Sequence, residues 1–329
     1  MKKFLKYLGY VVAILIVAVA GLLTYVKTAL PKVAPPQEMK ITATPEMVHR
    51  GWYLANRVCL CVDCHSERDF TKYGGPLKPG TIGQGGENFD QRYGFPGSFI
   101  PKNITPYHLG SWTDGEIYRA ITTGVSKDGK ALFPLMPYLN YGKMDPNDIK
   151  AIIAYIRTLP EIKKDNPESA PDFPMNFIIN TIPAEAAPQT MPDKNDQLAY
   201  GKYMINAANC FECHTKQDKG KVVGEPFAGG FEFAMPDGSM IRSANITPDN
   251  ETGIGSLTRE MFIKKFQMFA DSNYKAPDLK PGMVNTMMPW DMYGRMDTAD
   301  LGAIYAYLRT VKPVKNTVVH YSAPATAAK

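Results

Sequence analysis

Two cysteines three positions apart, with a histidine directly after the second, occur twice in this chain: Cys61-Val62-Asp63-Cys64-His65 and Cys210-Phe211-Glu212-Cys213-His214. With five Cys and five His in 329 residues, chance supplies about 0.001 such matches. Two thiols one helical turn apart can each form a thioether to one of the two vinyl groups on neighbouring edges of a porphyrin. The histidine that follows then lies under the iron. A thioredoxin-type dithiol has no use for that histidine, and a structural zinc site needs four ligands with longer partner spacing. The motifs therefore predict two covalently bound haem c groups. Cys61 and Cys64 attach the first, Cys210 and Cys213 the second, and His65 and His214 ligate the iron. Cys59 offers a competing thiol beside Cys61, and is expected to be a small buried side chain with a free thiol.

The N-terminus carries Lys2, Lys3 and Lys6 ahead of an uncharged apolar run from Tyr7 to Val26, about 30 Å long as a helix and enough to span a bilayer. A cleaved leader is the rival, since Ala18-Val19-Ala20 looks like a cleavage site. The run continues through Gly21-Leu22-Leu23, too long for an ordinary leader core. Residues 1–30 are therefore expected to be an uncleaved transmembrane anchor in the bacterial inner membrane. The lysines set its N-terminal end in the cytoplasm and the rest in the periplasm. The formal charge of +5 resides in residues 1–32, which hold five lysines and no acid. The balanced remainder leaves no basic surplus for nucleic acid, and haem propionates would make it somewhat acidic, as suits docking between redox proteins.

Beyond a Pro-rich tether at 31–45, four landmarks appear twice in the same order. Asn103-Ile104-Thr105-Pro106 matches Asn245-Ile246-Thr247-Pro248, and Ser111-Trp112-Thr113 matches Ser256-Leu257-Thr258. Met136-Pro137-Tyr138 matches Met288-Pro289-Trp290, and Met144-Asp145 matches Met296-Asp297. Thr44, Thr113, Thr258, Asp145 and Asp297 are placed as helix N-caps, with Glu116 completing a capping box in the first copy alone. The chain thus divides into a first domain at 46–160, a linker at 161–195 with six prolines, a second domain at 196–313 and a mobile tail at 314–329. Part of the linker, around Met175-Asn176-Phe177, is expected to pack on a domain. The Gly-rich stretches 74–97 and 219–239 read as loops or a short hairpin, and the fold class is mainly α.

This arrangement resembles the cytochrome c fold, in which the first and last helices cross at a glycine on one and an aromatic on the other; Gly51 with Tyr155, and Gly201 with Tyr307, stand at the matching places. The combined motifs are similar to the cytochrome c subunits of membrane-bound alcohol and gluconate dehydrogenases, over most of residues 47–313. Those subunits typically carry three haem domains, and this chain has two. The resemblance implies two tandem cytochrome c-like haem domains and an electron-transfer role.

Met136 and Met288 are the expected sixth iron ligands. Met usually fills cores, but each of these precedes proline, lies between a haem motif and a last helix, and recurs in both copies. His49, His108 and His320 have no repeat partners and are expected on surfaces or loops. Asn103, Thr105, Asn245, Thr247, Trp112 and Arg242 are placed to line haem edges or bond propionates, while turn formation and capping explain the Asn and Thr equally well. The expected function is electron transfer from a dehydrogenase or quinol-oxidising complex to an oxidase or another cytochrome, rather than catalysis. The alternative is a dihaem redox enzyme of peroxidase or thiosulfate dehydrogenase type, which needs an open or displaceable sixth position.

Overall fold

The structure is a computed structural model and describes residues 1–280 and 283–324. Helix α1, Lys2–Thr28, runs 27 residues with no buried side chain. Among the described residues it is the one helix long and apolar enough to cross a membrane, a test that an N-terminal signal sequence also passes. The tether that follows is extended but not free. The Ile41 N–H donates to the Asp114 carboxylate at 2.8 Å, and Ala34 N–H donates to Glu185 at 2.6 Å.

In the first half, α2 (Pro45–Tyr53) starts where Thr44 accepts the Met47 N–H and Pro45 takes the first turn, a position that needs no donor. The helical run continues beyond Tyr53 with a different winding. Leu54–Val58 form a π-helical turn closed by Cys59 N–H on the Leu54 carbonyl. Leu60, in the left-handed region at φ 54°, then turns the chain into α3 (Cys61–Cys64). After a long loop come α4 (Pro106–Leu109), α5 (Asp114–Thr123) with the Thr113–Glu116 capping box, α6 (Tyr138–Tyr141) and α7 (Pro146–Ile156). The linker contains α8 (Met175–Ile178), which packs near the end of α1, where the Lys27 ammonium lies 5.5 Å from the Phe177 ring.

The second half repeats the order with α9 (Gln197–Ala207), α10 (Cys210–His214), α11 (Arg259–Gln267), α12 (Trp290–Tyr293) and α13 (Thr298–Leu308). The principal packing in each half is first helix on last, α2 on α7 and α9 on α13. At both crossings only glycine fits: a Cβ at Gly51 would run into the Ala151 carbonyl beside Tyr155, and one at Gly201 into the Ala303 carbonyl beside Tyr307. Gly51 precedes Cys61 by ten positions and Gly201 precedes Cys210 by nine. The π turn absorbs that extra residue, so Asn209 matches Leu60, even in its φ of 54°.

Strands are few and short. β1 (Gly97–Ser98) pairs with β2 (Ala170–Pro171), which ties the linker to the first half. β3 (Gln217–Asp218) and β4 (Lys221–Val222) form a hairpin. β5 (Glu232–Ala234), β6 (Met240–Arg242) and β7 (Tyr321–Ser322) form a three-stranded antiparallel sheet. That sheet corrects the reading of 314–329 as a mobile tail. Residues 314 to 324 are held by β7 and by the Val314 N–H on Thr247 at 3.1 Å, while 325 to 329 lie outside the described residues. The sequence reading missed this because two strand residues carry no periodicity of their own.

One apolar core runs through both halves, with Leu54, Ile149, Ile153, Met204 and Leu301 wholly buried. Each such side chain contributes about 1.5–3 kcal/mol. The halves also exchange equivalent polar contacts. Tyr203 donates to Asp148 at 2.6 Å, just as Tyr53 does to Asp300. Asp148 is further held by Arg50 through two bonds, at 2.9 and 2.8 Å. Asp145 caps α7 through Asn147 N–H, as expected. Asp297 occupies the same place on α13 without a side-chain cap bond, a correction to its reading as a cap; its backbone N–H is taken by the Tyr53 hydroxyl instead.

Candidate haem sites

Each expected proximal histidine is fixed by one backbone carbonyl. His65 Nδ1 lies 2.6 Å from the Lys102 carbonyl, and His214 Nδ1 lies 2.8 Å from the Ala244 carbonyl. A carbonyl only accepts, so the proton is on Nδ1 and the lone pair on Nε2. This is the tautomer and orientation a ligating imidazole requires. Burial pushes both histidines below their ordinary value, partly offset by the carbonyl bond, which favours the neutral, ligating form. Lys102 and Ala244 each directly precede the Asn-Ile-Thr-Pro repeat. The sequence reading did not assign them this role; the recurrence of that repeat after each haem motif was the available signal.

The repeat itself makes turns. Asn103 Oδ1 accepts from Thr105 N–H at 2.9 Å and from its hydroxyl at 2.7 Å, and Asn245 does the same with Thr247 at 2.9 and 2.8 Å. The amides reach over to the Ile162 and Val314 carbonyls, both at 2.7 Å. All four side chains are buried and engaged in holding the carbonyl next door, so of the two readings the turn role is the one observed. Arg242 is likewise occupied, by Glu232 at 2.8 Å, Ser322 at 2.8 Å and the Val319 carbonyl at 3.2 Å. Trp112 packs half-buried on the main core, as does Leu257 in the second half.

All five cysteines are free. Cys61 and Cys64 stand one turn apart on α3, and Cys210 and Cys213 on α10. Cys59 is buried, with its sulfur 3.9 Å from that of Met144. Its carbonyl accepts the Tyr141 hydroxyl; in the second half Tyr293 donates to the matching carbonyl of Ala208 at 2.6 Å. Neither tyrosine figured in the sequence reading, although Tyr-Gly recurs at 141–142 and 293–294.

Met136 and Met288 open matching turns. Tyr138 N–H donates to the Met136 carbonyl and Trp290 N–H to that of Met288, each at 2.8 Å. The intervening prolines have φ −81°, ψ 54° and φ −80°, ψ 67°, the geometry of an inverse γ-turn. Both methionines pack half-buried on the core that Cys61 and Cys210 also touch. Leu135, one residue earlier, packs instead on a separate cluster of Phe89, Phe99 and Ile179. The donor set of two thiols, an imidazole with free Nε2 and a thioether on a rigid turn fits the haem that the motifs imply. The fit recurs in both halves. His49, His108 and His320 stand apart from it.

The two sites also touch. Asn140, four residues after Met136, donates to Asn209 at 2.8 Å and to Glu212 at 3.3 Å, residues that flank and lie within the second haem motif. Asn206 donates to the Asn140 carbonyl at 2.9 Å.

A cytochrome c domain is present: residues 198–312 match the cytochrome c family model. Over most of its length the chain is similar to cytochrome subunits of dehydrogenases. It is 26% identical to the fructose dehydrogenase cytochrome subunit of Gluconobacter japonicus, covering 84% of this chain and 55% of that one. It is also 26% identical to the cytochrome c subunit of a quinone alcohol dehydrogenase of Gluconacetobacter polyoxogenes, covering 87% and 60%. With a dihaem cytochrome c-type protein of Cereibacter sphaeroides it shares 25% identity, covering 60% and 73%. The chain thus spans little more than half the length of the dehydrogenase subunits it matches.

Proposed function

We propose that the chain is a membrane-anchored dihaem cytochrome c that takes electrons from a dehydrogenase and passes them to an oxidase or another cytochrome. In this reading α1 remains as the anchor, and the domains at 46–160 and 196–313, joined by 161–195, lie in the periplasm. Haem c, when bound, supplies a one-electron couple at each site. Cys61, Cys64, Cys210 and Cys213 hold it, and His65 and His214 present Nε2 to the iron. Met136 and Met288 would hold the sixth position, which would leave no room for peroxide or another substrate at either site. A thioether also raises the potential relative to a second imidazole. The contact of Asn140 with Asn209 and Glu212 supports electron exchange between the sites, because it joins the methionine turn of one to the cysteine helix of the other.

The observation that carries this reading is the duplicated bond from histidine Nδ1 to a backbone carbonyl, which prepares two imidazoles as ligands in the same way. The test is spectropotentiometry of the purified full chain. Two thioether-linked haems per chain, both six-coordinate and low-spin when oxidised, are expected, with two one-electron transitions. A single haem, or a high-spin site that binds peroxide, would overturn it. Carbonate washing of membranes should fail to release the chain, and a mature N-terminus at Gly21 would remove the anchor.

A further inference from the structure

The two halves exchange equivalent contacts, but the exchange is incomplete at one place. The linker passes beside Asp145. Gln189 N–H donates to the Lys143 carbonyl at 3.3 Å, and Met191 N–H to the Asp145 carboxylate at 2.9 Å. Met191 sulfur lies 3.5 Å from the Arg50 guanidinium. The repeat makes Arg295 and Asp297 the counterparts of Lys143 and Asp145. There the linker contributes only the Lys194 side chain among the described residues. Among the described residues nothing bonds the Asp297 carboxylate, and no N–H donates to the Arg295 carbonyl.

A cleft of about 490 Å³ lies at that position, lined by His49, Trp52, Arg57, Lys194, Arg295 and Asp297 among others. Its charges are unevenly matched. Arg295 is paired with Asp291 at 3.1 Å, and Arg50, also at the cleft, with Asp148. Among the described residues no carboxylate lies within ion-pair distance of Arg57 or Lys194. The Arg57 guanidinium sits 5.1 Å from the ring of Trp52, a partly exposed aromatic of the kind that anchors protein interfaces. Burial, then the nearby Arg295, hold Arg57 below the ordinary arginine value, partly offset by Asp291.

We propose that this cleft docks an extended, acidic segment of a protein partner. Its backbone N–H groups bond the Arg295 carbonyl and the Asp297 carboxylate, as the linker's do at Lys143 and Asp145, and its acidic side chains meet Arg57 and Lys194. The linker at Asp145 shows how backbone N–H groups are received, and Arg57 and Lys194, with no ion-pair partner among the described residues, give the sign of the charge. Docking of such a segment does not require either haem to be reduced.

The test is calorimetric titration of the full-length, haem-loaded protein in detergent with a synthetic peptide of residues 188 to 192 flanked by two glutamates on each side. Saturable one-to-one binding is expected, weakened about tenfold or more by Lys194→Glu and by Arg57→Glu. Asp297→Asn should weaken it to a smaller degree, since only one backbone bond is affected. Lysines in place of the glutamates should abolish it, and a distant reversal, Lys315→Glu, should leave it unchanged. Lys194 is exposed, so its variant carries the test if Arg57→Glu fails to fold. Absence of saturable binding, equal binding of the lysine peptide, or binding indifferent to Lys194→Glu would overturn the proposal. The haem spectrum of the same sample reports on the electron-transfer reading separately.

Discussion

Tyr53 donates its phenolic proton to Asp300 at 2.6 Å, across 247 positions of sequence, and accepts the Asp297 N–H at 3.0 Å. Burial and the neighbouring carboxylate raise the Tyr53 phenol well above its ordinary range, so it remains a donor at any working pH. Asp300 is wholly buried, and its hydrogen bonds come from Tyr53 and from Tyr200 at 2.9 Å.

Removing that donor should cost more than removing its counterpart. Tyr53→Phe should destabilise by about 1–3 kcal/mol, measured by urea denaturation. Tyr203→Phe should cost less, because Asp148 keeps the two Arg50 bonds. Equal costs would show that the arginine contributes nothing to burying Asp148.

The helix crossings give a second prediction. Gly51→Ala and Gly201→Ala must each push α2 from α7 or α9 from α13, since the added carbon meets a backbone carbonyl that cannot rotate away. Each should lower stability by about 1–3 kcal/mol and lower the haem content of its own half. A variant with unchanged Tm would refute the crossing.

Met287 and Met288 are adjacent, and only one can meet the second iron. Met288 opens the turn that matches Met136, so Met288→Leu should abolish the sulfur-to-iron charge-transfer band of that haem and lower its potential. Met287→Leu should keep both. The reverse pattern would place the ligand one residue earlier.

Burial raises the Cys59 thiol well above its ordinary value, so it should resist alkylation in the native protein and react after unfolding. Mass spectrometry of Cys59→Ser should still show two haems. Loss of one haem would make Cys59 an attachment residue.

Glu87 gives a pH dependence. Burial pushes its carboxyl up from 4.5 to about 7, and its Oε2 has no partner among the described residues. An acid whose folded value is raised weakens the fold as it ionises, so its contribution is most favourable below pH 4.5 and falls as pH rises to about 7. Glu87→Gln should be flatter across that window and more stable than wild type at pH 8. A wild-type stability that rises between pH 5 and 7 while the variant's stays flat would contradict the sign.

The haem motifs, the duplicated landmarks, the glycines at the crossings and the caps at Thr44, Thr113, Thr258 and Asp145 were legible in the sequence. Each depends on residues close in the chain or on a repeated pattern. What the tertiary structure decided lies between distant residues. The carbonyls of Lys102 and Ala244 orient His65 and His214, yet a carbonyl belongs to every residue and leaves no mark in a sequence. The π turn showed only as a one-residue difference in spacing. Asp297 makes no cap bond although it follows Met296 as Asp145 follows Met144; Asp145 is held by the Met191 N–H of the linker, a contact between residues 46 positions apart. The pairing of residues 321–322 with β6 likewise waits on the folded second half, because two strand residues have no stability until a partner edge exists.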